Sequence, residues 1–147
     1  NGRGRLNLNG ALNLKDKTIV ILNEDTVNAE STIRLLEATA KKQPHGKIYF
    51  IIDNASHHHA KIVRKWTLHH PRFKLLFLPP YSPNLNLIER LWKFFHKRVT
   101  NNQYYETFAE YKKATFDFFD NIKKYQSELD SLLTDNFRLT PVANFQS

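Results

Sequence analysis

The run Lys47-Ile48-Tyr49-Phe50-Ile51-Ile52-Asp53 constrains this chain more than any other segment. Residues 47–52 are almost continuously apolar. Strands buried on both faces, typically parallel ones, read this way. The run ends in a carboxylate, and in open α/β sheets ligands bind outside the carboxyl ends of the parallel strands. Asp53 is therefore a candidate functional residue. Its bland reading is a turn or helix-cap aspartate.

The flanking patterns supply the remaining layers. Residues 5–14 alternate apolar and polar, Lys15-Asp16-Lys17 reads as a turn, and Thr18 to Leu22 is β-rich, which predicts an antiparallel hairpin. Asn28 precedes a helical pattern with Ala29, Ile33, Leu36 and Ala40 on one face, halted at Pro44-His45-Gly46. After Asp53, the cap-type residues Asn54-Ala55-Ser56 lead into a helix to about His69, with Ile62, Val63 and Trp66 inward. Phe73 to Leu78 is a further strand. Pro79-Pro80-Tyr81-Ser82-Pro83 is a rigid, non-helical loop. A helix begins at Leu87 with Asn86 as its cap and Ile88, Leu91, Trp92, Phe95 and Val99 as its apolar stripe. Phe108, Tyr111, Thr115, Phe118 and Ile122 mark another helix, and Ser127 to Leu133 a short last one. This order predicts an α/β domain over residues 1–133 with a mixed sheet and a weakly patterned tail over 134–147.

Composition narrows the class. With 147 residues and 41% hydrophobic content the chain suits one globular domain. No apolar run approaches the length needed to span a bilayer, and no signal peptide pattern opens the sequence. The absence of cysteine excludes a disulfide scaffold and thiolate metal sites, and fits a reducing compartment. A formal charge of +8 favours polyanions, nucleic acid foremost. The chain has no Met and starts at Asn1, which reads as a fragment or trimmed product.

Glu89 is the second telling acid, with thirty-five residues between it and Asp53. It falls in the first turn of its helix, where a carboxylate also complements the helix dipole. On a helical wheel it borders the apolar stripe, with Lys93 and His96 on the same flank. Two carboxylates converging on a strand end suit Mg²⁺, a hard ion that keeps water and phosphate oxygens as further ligands. Two such ions about 3.5–4 Å apart activate an attacking oxygen and stabilise a leaving one in phosphodiester cleavage. His57-His58-His59 invites a zinc reading, but consecutive helical residues diverge by about 100° and do not face one ion.

The segments Asp53-Asn54-Ala55-Ser56-His57-His58 and Leu78-Pro79-Pro80-Tyr81-Ser82-Pro83-Asn84-Leu85-Asn86-Leu87-Ile88-Glu89 resemble the signature of DDE superfamily transposases, specifically the mariner-like group and its bacterial insertion-sequence relatives. The resemblance extends over nearly the whole chain. It implies a ribonuclease H-like fold and Mg²⁺- or Mn²⁺-dependent DNA strand cleavage and strand transfer at transposon ends, with two ions in a complete site. Asp53 and Glu89 match the second and third catalytic acids and metal ligands. Asn54 and His58 match residues beside the metal site. Tyr81, Ser82, Lys93 and His96 join them as residues supporting the ligands or touching DNA. Lys61, Arg64, Lys65, Arg90, Lys97 and Arg98 are candidate phosphate contacts, against the alternative of a merely solvated basic face. The implied partners are transposon-end and target DNA and a second copy in an active homodimer, and the implied setting is the bacterial cytoplasm at the nucleoid.

Three departures stand out. Leu87 replaces the usual Pro before Ile-Glu, and Asn84 replaces a frequent acid. The family's first catalytic Asp belongs on a strand before the hairpin, and nothing before Asn7 qualifies. Asp16 and Asp25, the only early aspartates, fall in turns. The first strand and first acid are thus expected to be missing, which makes this span alone inactive. The competing reading is a non-catalytic DNA-binding or interaction remnant of a decayed transposase.

Overall fold

The computed structural model describes residues 4–79, 87–101 and 103–134. The chain opens with the expected hairpin. β1 (Leu8–Leu12) pairs antiparallel with β2 (Ile19–Asn23), Leu8 opposite Asn23 and Leu12 opposite Ile19. The turn is closed by side chains: Asn13 Oδ1 accepts from the Lys15 N–H, and Asp16 Oδ1 from the N–H and hydroxyl of Thr18.

Helix α1 (Ala29–Lys42) starts where the sequence places it. Asn28 Oδ1 accepts from the Ser31 N–H at 2.9 Å and Ser31 Oγ from the Asn28 N–H at 2.7 Å, a reciprocal cap that satisfies two otherwise orphaned donors. The helix is tied across the hairpin by Asn9 Nδ2 donating to the Ser31 carbonyl and by Arg34 on the buried carboxylate of Glu24. Gly46, at φ +87°, makes the following turn in the left-handed region that favours glycine. Arg72 then donates to the carbonyls of Ala40 and Gly46, fixing that turn to the start of the next strand pair.

β3 (Ile48–Ile52) pairs in parallel with β4 (Phe73–Phe77). Between them the chain differs from the expected helix. Ser56–His59 is a single 3₁₀ turn, Ala60 returns to extended backbone at ψ 152°, and α2 runs only over Lys61–Leu68. Neither Asn54 nor Ser56 caps α2; its N-cap position is Ala60, without a side-chain bond. Ile48, Phe50, Phe73 and Leu75 pack with Leu36 of α1 and Val63 and Trp66 of α2 into one core.

A second core joins the hairpin to the C-terminal helices: α3 (Leu87–Phe95), continued by a π turn over His96–Thr100, α4 (Phe108–Asp120), a 3₁₀ turn at Ile122–Tyr125, and α5 (Gln126–Thr134). Leu91, Phe95 and Val99 of the expected stripe are buried, and Leu87 and Phe94 widen it. Phe118, Phe119, Ile122, Leu129 and Leu133 close this core, with Phe95 stacked on Phe119 at 5.1 Å. The helix expected through Ile122 breaks at Asn121. The proposed cap Asn86, the loop residues Tyr81 and Ser82, and the tail over 135–147 lie outside the described residues.

Among the described residues the strands form two separate pairs, antiparallel β1–β2 and parallel β3–β4, so the expected mixed α/β architecture is present as two small sheets flanked by helices. A cavity of about 750 Å³ separates them. All five residues of β1 and all five of β3 line it, odd and even positions alike. Successive side chains of a strand point to opposite faces, so the cavity abuts strand edges and not one sheet face. Each pair thus turns a backbone edge toward the gap, with no strand between them among the described residues.

Candidate active site

Asp53 stands immediately beyond β3. The main-chain bond from the Leu78 N–H to the Ile52 carbonyl, 2.8 Å, carries the β3–β4 pairing to its doorstep. Its side chain is 53% exposed. Oδ1 accepts from the Ala55 N–H at 3.0 Å, the turn aspartate anticipated as the bland reading. His58 Nδ1 lies 3.0 Å from the same oxygen and 3.2 Å from the Asp53 carbonyl. Both partners only accept, so Nδ1 carries the proton. Burial holds the His58 imidazole below its ordinary titration range, and the Asp53 carbonyl and carboxylate only partly offset this. The pair is thus an imidazole N–H donating to a carboxylate. Oδ1 is thereby occupied, and among the described residues no hydrogen bond engages Oδ2.

Glu89, the third residue of α3, is exposed and lines the same cavity as Asp53 and His58. Trp92, one turn further along α3, lines it too. The two sequence-selected acids and one of the histidines thus line one cavity. Lys93 is exposed one turn past Glu89. His96 is exposed, its Nδ1 3.1 Å from Thr100 Oγ1, which in turn meets the Tyr111 hydroxyl at 3.2 Å.

The basic candidates divide. Lys61, Arg64, Lys65 and Lys97 are exposed. Arg98 is engaged within the protein, paired with Glu128 and lying over the rings of Phe94 and Tyr125. Arg90 donates to the Leu132 carbonyl at 2.9 Å. Sequence reasoning passed over His59 when the histidine triple was set aside as a zinc site. Its Nε2 meets Asn54 Oδ1 at 2.5 Å, and its ring stacks on Phe77 at 4.0 Å. His57 Nε2 is buried without a hydrogen-bond partner among the described residues. No group of three or more His, Cys, Asp or Glu side chains converges as a metal-ligand set among them.

A sequence profile of the DDE superfamily endonucleases matches residues 1–112. The chain belongs to this family. Within it, the chain falls in the mariner and IS630 transposase group. This DDE chain is 27% identical over 95 residues to the insertion element IS630 uncharacterized 39 kDa protein of Shigella sonnei, covering 65% of the chain and 27% of that protein. Its fold matches the catalytic domain of Mos1 mariner transposase with a TM-score of 0.56 at 25% identity, over 78% of this chain and 61% of that one. The Mos1 paired-end complex with the left transposon end matches with a TM-score of 0.54, also at 25% identity, over 78% of this chain and 38% of that one. The DDE chain thus spans about a quarter of the curated relative. It has the ribonuclease H-like architecture of small sheets flanked by helices, and among its described residues no helix is long and apolar enough to cross a membrane.

Proposed function

We propose that this chain is the catalytic core of a transposase that cuts and rejoins DNA strands at transposon ends. The placement of Asp53 and Glu89 on one cavity, with the Asp53 carboxylate held through Oδ1 by the Ala55 N–H and His58, carries the reading. The donor set fits Mg²⁺ or Mn²⁺: two carboxylates, no thiolate, and a histidine whose proton faces the carboxylate and not an ion. Asp53 and Glu89 would hold the ions. Bound there, they would activate an attacking water or hydroxyl and stabilise the leaving oxygen.

The chain's own contribution is placement. The Ala55 N–H and His58 lock the Asp53 carboxylate in one orientation, and preorganised ligands lose no reorganisation energy when charge develops. Two carboxylates neutralise only part of two divalent charges. A third acid is therefore part of the proposal, carried on a strand that enters the cavity between β1 and β3 from outside the described residues. Without it the span is inactive. Lys61, Arg64 and Lys65 track DNA phosphates. The partner is DNA, by analogy with Mos1 transposase in its paired-end complex with the left transposon end. A homodimeric active complex in a bacterial cytoplasm completes the reading.

The test uses the complete transposase that contains this span. Asp53→Ala and Glu89→Ala abolish cleavage of a transposon-end duplex and leave DNA binding nearly intact, because phosphate contacts supply most of the affinity. Cleavage retained in either variant ends the assignment.

A further inference from the structure

We propose that His59 is a positioning residue for the metal-dependent reaction. It fixes the Asn54 side chain so that its amide donates to a phosphate oxygen of the DNA strand held beside Asp53. The inference rests on the catalytic reading above.

Asn54 follows Asp53 directly and is exposed, and its side chain makes a specific contact. That contact is His59. Its Nε2 lies 2.5 Å from Asn54 Oδ1, and an amide oxygen only accepts, so Nε2 carries the proton. With Oδ1 taken, the two Nδ2 hydrogens are the donors that Asn54, next to Asp53 in the chain, offers to a ligand. The His59 ring is anchored in turn. It lies nearly parallel to Phe77, 20° between planes. Phe77 is the last residue of β4 and pairs with Ile52, the residue before Asp53. The circuit closes from Ile52 across the strands to Phe77, up to His59 and back to Asn54. An exposed amide held this way is a placed donor, and a charged phosphate oxygen is the acceptor that DNA cleavage brings to it.

Three variants of the complete transposase separate the parts. His59→Phe keeps a ring on Phe77 and loses the hydrogen bond. His59→Gln loses the ring and keeps a donor near the Nε2 position. Asn54→Ala removes the donor itself. His59→Phe and Asn54→Ala each lower kcat about tenfold, the worth of one hydrogen bond to a charged group, with KM for DNA little changed. His59→Gln recovers most of that loss. The Asn54→Ala/His59→Phe double variant is no slower than Asn54→Ala, since both remove one contact.

A second readout needs no reaction. Long-range ¹H–¹⁵N spectra of the metal-free protein show His59 as the Nε2–H tautomer, and Asn54→Ala abolishes that preference. An Nδ1–H tautomer in the parent, additive losses in the double variant, or His59→Gln as slow as His59→Phe would each overturn the proposal. So would a His59→Phe protein with parental kcat while Asp53→Ala is dead, which leaves the catalytic reading standing. If Asp53→Ala cleaves DNA, the catalytic reading itself falls.

Discussion

Trp92 of α3 rests on Gly10 of β1: a Cβ built on Gly10 would stand 3.0 Å from Trp92 Cη2 and 3.1 Å from Ile21 Cδ1. The contact sets how closely the helix carrying Glu89 approaches the hairpin, because Glu89 lies one turn before Trp92. Gly10→Val therefore has to push the indole away. Overpacking of this kind costs about 1–3 kcal/mol. We expect a lower Tm together with a loss of cleavage in the complete transposase larger than the stability loss explains. Parental activity in a folded Gly10→Val protein would show that α3 placement is insensitive to this contact.

The two cores give a stability prediction. Leu36 is fully buried in one and Phe95 almost so in the other. Truncation to Ala leaves a cavity in each case, costing about 2–5 kcal/mol for Leu36 and about 3–5 kcal/mol for Phe95. Distant sites with no shared partners add. Urea unfolding of the single and double variants should show additive losses. A marked departure from additivity would mean that the cores communicate across the cavity.

Asp16 yields a pH dependence. Its carboxyl is held below the ordinary value of 3.8, first by the Thr18 hydroxyl and next by the Thr18 N–H. A folded-state value below the unfolded one stabilises the hairpin above pH 3.8, and the gain is lost as pH falls through the lower value. Asp16→Ala should thus unfold more easily than the parent at neutral pH, the difference shrinking below about pH 4. A constant difference across the titration would assign the loss to turn geometry and not to charge.

The basic residues should separate by experiment as they do in space. Each phosphate contact removed lowers the slope of log K against log salt by about one. Lys65→Ala is expected to do this without lowering Tm. Arg98→Ala is expected to lower Tm, because Arg98 is held by Glu128 and two rings. Equal salt slopes for Lys65→Ala and the parent would place α2 off the DNA.

Much of this was legible in residue order. The apolar run into Asp53 announced a parallel strand, though Tyr49 within it is exposed and only Ile48 and Ile52 are buried; Asn28 announced the start of α1, and the Glu89 helix followed from its stripe. The 3₁₀ turn at Ser56–His59 was not legible, since Ala60 breaks the helix through an extended ψ with neither Gly nor Pro to signal it. The His59 contact was hidden for the same reason. His59 lies five positions after Asn54, a spacing that meets only because the turn is tight. The Asn121 break in the last helical stretch likewise carries no proline or glycine. The cavity depends on which strand edges remain unpaired, and hydrophobic pattern reports faces, not edges.

The free edges make the final prediction. Among the described residues no further strand pairs with β1 or β3, and edge N–H and C=O groups left unpaired are costly when buried and prone to pairing when open. A strand supplied there would pair on both sides and join the two sheets into one. In the isolated 147-residue chain, the β1 and β3 amides facing the cavity should exchange with solvent faster than those paired to β2 and β4. In the complete transposase both sets should be protected. The isolated chain should fail to nick a transposon-end duplex with Mg²⁺ or Mn²⁺, because two carboxylates hold two divalent ions weakly. If the isolated chain protects those amides and cuts DNA unaided, no third acid enters by that route, and Asp16 or Asp25 becomes the acid to test.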